Sequence, residues 1–227
     1  MGLFEDLSKI EQSQKAAQQA ISNQAAAKQA LAPQVARQAR TLLEEAVRFL
    51  SGSNAPCMTA ARFDLYAPQK LFRNSQRPEP LGRAWDLRGF WLSESVLLCR
   101  GDILNRDVAS LKKANIPVVG NQETGRLLVI SPKEDVRYLE ANQVNNLADA
   151  PFHVLDKSPF PTEYRFNYPD HFELPEQKRI GILPDGSPAL VSYSGPSRED
   201  TSNTCTAVNL EEWLKFSIKR LITGKIV

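Results

Sequence analysis

Histidine and cysteine are scarce in this chain of 227 residues: His153 and His171, and Cys57, Cys99 and Cys205. The cysteines are odd in number, no two lie close together, and no Cys-x-x-Cys pair occurs. That argues against a disulfide framework and against a zinc site of the usual local spacing. Cys99 closes the apolar run Val96-Leu97-Leu98 and reads as a small core hydrophobe. The glycine-dependent signatures are missing too. There is no G-x-x-x-x-G-K-[S/T] loop, no G-x-G-x-x-G turn and no G-x-S-x-G elbow; Ser194 before Gly195 comes nearest and lacks the leading glycine. No apolar run approaches the roughly 18–20 residues that cross a bilayer. The first 30 residues lack the apolar centre and small-residue cleavage site of a secretory leader, and Asp6 stands where myristoylation after Met1-Gly2 wants Ser or Thr. The cytoplasm is therefore the expected compartment, with no membrane partner, no cofactor and no metal.

What is present suffices for a core. Hydrophobic residues make up 42% and charged residues 24%, ordinary for a globular chain. The length suits one core domain with an appendage. The expected fold class is α+β: a long N-terminal helical arm over 1–55, kinked near Pro33, followed over 56–227 by a mostly antiparallel β domain with a C-terminal amphipathic helix. Net charge is +2, and residues 56–130 are the basic part, with eleven cations against seven anions. Nucleic-acid binders show a stronger stripe, because each phosphate contact needs its own cation. A mixed solvated surface is the plainer reading.

In the arm, steps of four and three from Leu3 reach Leu7, Ile10, Ala17, Ile21, Leu31, Val35, Leu42 and Phe49, the spacing of a coiled-coil seam. Gln14, Gln24, Lys28, Gln38 and Glu45 interrupt it. Pro33 lacks an amide proton and predicts a kink or a break into two helices. The half over 34–50 is the more apolar and is expected to dock on the following domain.

Within that domain, Arg83 to Leu92 reads as a strand or bent strand, paired through a Ser93-Glu94-Ser95 turn with Val96 to Arg100. A short helix is expected over 106–115 and a long covering loop with short extended pieces and five prolines over 150–176. Strand, Pro184-Asp185-Gly186 turn and strand follow over 179–194. Asn209 starts an amphipathic helix carrying Leu210, Trp213, Leu214 and Ile218 on one face, with a capping-box spacing to Glu212.

No constellation specifies a reaction. His153, Asp170, His171, Glu173 and Glu176 are the catalytic candidates, because they cluster in the proline-rich 150–176 segment where loops on a sheet carry chemistry. Asp170 with Glu176 and Lys178 has the residue types of a metal-dependent nuclease, but six positions leave too little chain to place the carboxylates on adjacent strands. Trp85, Phe90 and Trp91 beside Arg83 and Arg88 have the makings of a base-stacking face, yet core packing explains the same aromatics. The adjacency of Phe90 and Trp91 is expected to leave one ring exposed as a binding hot spot. The function expected first is a non-catalytic interaction or scaffold protein, binding a protein partner or itself through Leu3, Leu7, Ile10, Ile21, Phe90 and Trp91. The alternatives are a hydrolase or metal-dependent nuclease with a site in the 150–205 loops, and a nucleic-acid-associated accessory factor.

Overall fold

The computed structural model describes residues 3–62, 78–95, 98–99, 101–106, 108–116, 125–130, 145–146, 152–155, 157–167, 180–194 and 204–224. Helix α1 (Leu3–Ser51) takes up 49 of them and continues through Pro33 as one element rather than two. Its alanine and glutamine content favours helix without supplying much apolar area. Six positions on it are buried: Ala32, Val35, Ala39, Leu43, Ala46 and Leu50. They cover 18 residues in five steps, the repeat of a straight helix at about 3.6 residues per turn.

The seam expected at heptad spacing is thereby corrected over this half. Leu31 and Phe49 are 40% and 58% exposed, and Gln38 and Glu45 are exposed as well. A straight helix drifts about 20° per heptad from a 3.5-residue repeat, so a seam counted from Leu3 is about 130° off by Phe49.

Two six-stranded sheets follow. The first contains β1 (Met58–Arg62), β2 (Glu79–Asp86), β3 (Trp91–Ser93), β4 (Leu98–Cys99), β5 (Asp102–Arg106) and β6 (Gly125–Ile130), with the short helix α2 (Val108–Lys113) between the last two. Its order is β4-β3-β2-β1-β6-β5. The second contains β7 (Asn145–Asn146), β8 (His153–Val154), β9 (Glu163–Asn167), β10 (Ile180–Ile182), β11 (Pro188–Ser194) and β12 (Thr204–Asn209), and leads into α3 (Leu210–Thr223). Its order is β7-β10-β11-β12-β9-β8. Pairing is antiparallel except between β1 and β6 and between β10 and β7. Helices and sheets together make the class α+β.

Strand alternation decides what each face buries. On β1 and β6, Ala60, Leu128 and Ile130 join Met58, Leu81, Ala84, Trp91 and Cys99 on one side. Their neighbours Ala61, Leu127 and Val129 join Leu111 of α2 and Ile116 on the other. In the second sheet Phe166, Leu183, Ala189, Val191, Cys205 and Ala207 form a cluster on one face. The largest core collects the six buried α1 positions with Trp85, Leu87, Phe90, Leu92 and Leu98 of the first sheet region. Ile180, Ile182, Leu190 and Val208 of the second sheet and Leu210, Trp213 and Leu214 of α3 complete it. The second half of α1 thus shares one core with both sheets. Each large side chain buried there contributes about 1.5–3 kcal/mol.

Two expected elements gain detail in the structure. The strand or bent strand expected over 83–92 is two strands, β2 and β3, separated by a two-residue turn at Arg88 and Gly89, whose φ values are 57° and 88°. The short extended pieces expected in the proline-rich 150–176 segment include β8 and β9, which belong to the second sheet. The expected short helix and the 180–194 hairpin are present as α2, β10 and β11. Asn209 caps α3 through its side chain, which accepts from the amides of Glu211 and Glu212 at 3.0 and 3.2 Å.

Candidate functional site

Arg88 sits where an arginine is least at ease. The hairpin between β2 and β3 closes with Leu87 N–H donating to the Phe90 carbonyl at 2.7 Å, which leaves Arg88 and Gly89 as its two loop residues, both left-handed. This is the geometry of a type I′ turn, whose first loop position favours Asn, Asp or Gly. A longer side chain there costs on the order of 1 kcal/mol or more. Asp86 steadies the turn weakly by accepting the Gly89 amide at 3.4 Å.

The side chain goes to α3. The Arg88 guanidinium lies 5.2 Å from the Phe160 ring centre and 5.8 Å from that of Phe216, and the two rings meet edge to face at 5.3 Å. Stacking occupies the face of the guanidinium and leaves its in-plane N–H donors unspent. No carboxylate among the described residues pairs with Arg88 or with Arg220, one turn beyond Phe216.

Between the turn and the end of α3 lies a cleft of about 500 Å³ lined by Asp86, Arg88, Ser217, Arg220, Leu221 and Gly224. Ser217 is 2% exposed, and its hydroxyl has no hydrogen-bond partner among the described residues. A mid-helix serine ordinarily returns its hydroxyl to the carbonyl four residues back; here it does not. An unpartnered buried hydroxyl costs about 1–3 kcal/mol. Among the described residues, the cleft therefore combines two guanidiniums without a carboxylate partner, one carboxylate and one hydroxyl without a hydrogen-bond partner.

Comparison with protein-family models, with curated proteins and with solved structures finds no match. The residues themselves carry the functional reading.

The residues singled out from sequence fare unevenly. Phe90 and Trp91 are 6% and 8% exposed, so the expectation of one exposed ring is corrected. They point to opposite faces of the first sheet, and both faces bury side chains at this end. Phe90 joins the main core, edge to face with Trp213 at 5.9 Å, and Trp91 joins the cluster around Met58 and Leu128. Trp85 is fully buried, which removes the base-stacking face. His153 is exposed on β8, opposite Arg165 of β9. Asp170, His171, Glu173 and Glu176 lie outside the described residues. Among the described residues no group of three or more histidines, cysteines, aspartates and glutamates is placed to hold a metal ion. Leu3, Leu7, Ile10 and Ile21 fall within α1, with their side chains outside the described set. Among the described residues no helix is long and apolar enough to cross a membrane.

Ser217 gave no signal in the sequence, and Arg220 stands in the last turn of α3, where a cation suits the negative end of the helix. Arg88 was visible only as a cation beside Trp85, Phe90 and Trp91. Only the fold brings these three together.

A second surface is the unburied part of α1. Every side chain described between residues 11 and 31 is exposed. Leu3 to Leu31 spans about 43 Å at 1.5 Å per residue.

Proposed function

We propose that this chain is a non-catalytic assembly protein whose first 30 residues form a helical arm that pairs with a second copy, while the sheets anchor its base. One observation carries the reading. Subtracting 18, five full turns, from each buried α1 position gives 14, 17, 21, 25, 28 and 32. Repeating the step reaches 3, 7 and 10. The sequence holds Leu3, Leu7, Ile10, Ala17, Ile21 and Ala25 at those places, with Gln14 and Lys28 as the interruptions. The apolar line that docks on the domain thus continues along a stretch whose described side chains, between residues 11 and 31, are exposed.

In proteins a helix draws most of its stability from packing its apolar face rather than from propensity. Charge favours a second copy running antiparallel. Glu5, Asp6 and Glu11 mark one end, and no acidic residue occurs from there to Glu44, while Lys15, Lys28, Arg37 and Arg40 do. Antiparallel pairing with position 10 opposite position 21 sets Lys28 across from position 3, within three positions of Glu5 and Asp6, whereas parallel pairing sets like against like. Such an isologous contact closes on itself as a dimer.

Light scattering on the full chain tests this. The expected mass is twice the monomer's, falling to one in Leu7→Glu and Ala17→Glu and staying doubled in Gln19→Glu on the opposite side. A wild-type monomer across the micromolar range ends the proposal.

A further inference from the structure

We propose that the cleft between the Arg88 turn and the end of α3 is a binding site for an oxyanion bearing its own proton or hydroxyl, such as monohydrogen phosphate or a hydroxycarboxylate. This is separate from assembly through α1. Three features that cost stability converge on the cleft. Arg88 holds a left-handed backbone conformation at φ 57°. The Ser217 hydroxyl is buried without a partner among the described residues. Two guanidiniums share one lining without a carboxylate paired to either among the described residues. An entering oxyanion gives both guanidiniums the charged partner they lack among the described residues.

The chemistry of the lining narrows the ligand. Arg88, held against Phe160 and Phe216, presents a planar fork of N–H donors suited to two oxygens at once. Arg220 supplies a second cation, and Ser217 a hydroxyl donor once its Oγ, which has almost no exposed surface, turns toward the ligand. Asp86 on the same lining accepts hydrogen bonds and repels a bare dianion. An oxyanion with an O–H beside its charge satisfies all four groups. Acetate, with no donor of its own, leaves Asp86 unanswered.

Inorganic phosphate, citrate and acetate titrated into the full chain by calorimetry at constant ionic strength decide it. Saturable binding of phosphate or of citrate, with acetate at least tenfold weaker, is the expected result. Phosphate alone assigns monohydrogen phosphate, citrate alone a hydroxy acid, and both together a site that accepts either. Arg88→Asn suits the turn better than arginine, so it folds and is expected to bind about tenfold or more weakly. Arg220→Gln is expected to do the same. Ser217→Ala is expected to melt no lower than wild type while binding more weakly, which a merely structural serine would not do. Absence of binding by both phosphate and citrate, or equal binding by Arg88→Asn, Arg220→Gln and wild type, overturns the assignment. Ser217→Ala binding as tightly as wild type also overturns it.

Discussion

Arg83 grips Glu94 across the edge of the first sheet and reaches the end of α1 with the same guanidinium. Its Nε and Nη2 donate to one Glu94 oxygen at 2.9 and 2.7 Å, and its amide donates to the other at 2.8 Å. Its Nη1 donates to the Ser51 carbonyl at 3.2 Å, and the Ser51 hydroxyl donates to Glu94 at 3.1 Å. One ion pair thereby ties the last turn of α1 to β2 and the turn after β3. It is the polar counterpart of the shared core.

Acid should loosen this tie. Burial pushes the Glu94 carboxyl up, but the Arg83 amide and guanidinium outweigh it and hold the group below its ordinary value of 4.5. A depressed folded value means stability fully present above pH 4.5 and lost as pH falls through the folded value. Glu94→Gln is expected to cost about 1 kcal/mol or less at pH 7, the scale of a partly exposed pair. It should also flatten the decline of melting temperature below pH 4.5, measured by calorimetric scans in a pH series.

Gly82 is expected to resist substitution for two separable reasons. Its φ is +79°, and an added Cβ would stand 2.5 Å from a Glu94 carboxylate oxygen. Gly82→Ala should cost about 1–3 kcal/mol in urea unfolding. In a Glu94→Ala background the contact with the carboxylate is gone and only the backbone strain is left. The second cost should therefore be smaller than the first, a coupling read from a double-mutant cycle.

The thiols should separate by burial. Burial pushes Cys205 up to about 12, and Cys99 is fully buried with its thiol toward the Trp91 carbonyl at 3.4 Å. Cys57 is only partly buried; burial raises it too, Arg83 opposes that, and Glu94 adds to it. Iodoacetamide at pH 8 is expected to modify Cys57 first and slowly. Cys99 and Cys205 should follow only at the rate of global unfolding, as mass spectrometry of timed samples would show.

Much of the fold was legible where local chemistry and tertiary placement agree. The 180–194 hairpin follows from Pro184-Asp185-Gly186: Asp185 accepts the Ser187 amide at 2.9 Å, and Gly186 takes a φ of +85°. Asn209 announces α3 because its side chain has the reach to satisfy the first free amides. Leu87-Arg88-Gly89-Phe90 failed as a turn signal because arginine is not a left-handed residue by preference, and the flanking apolar alternation reads straight through it. β12 was missed because Thr204–Asn209 is short and made of small residues, although it pairs with both β11 and β9. The heptad count was wrong near Phe49, since a small angular error accumulates over many turns. The cleft was illegible for a different reason: Arg88 and Ser217 stand 129 positions apart, and no local pattern relates them.

Because α1 is one uninterrupted helix, it also acts as a torsional gauge between its two halves. A single residue inserted near position 31 would turn everything before it by roughly 100° and advance it by about 1.5 Å. Removing 18 residues would shorten the reach by about 27 Å and leave its compass bearing unchanged. Length and direction are thus set independently, by how many residues the helix holds and by that number's remainder against five turns.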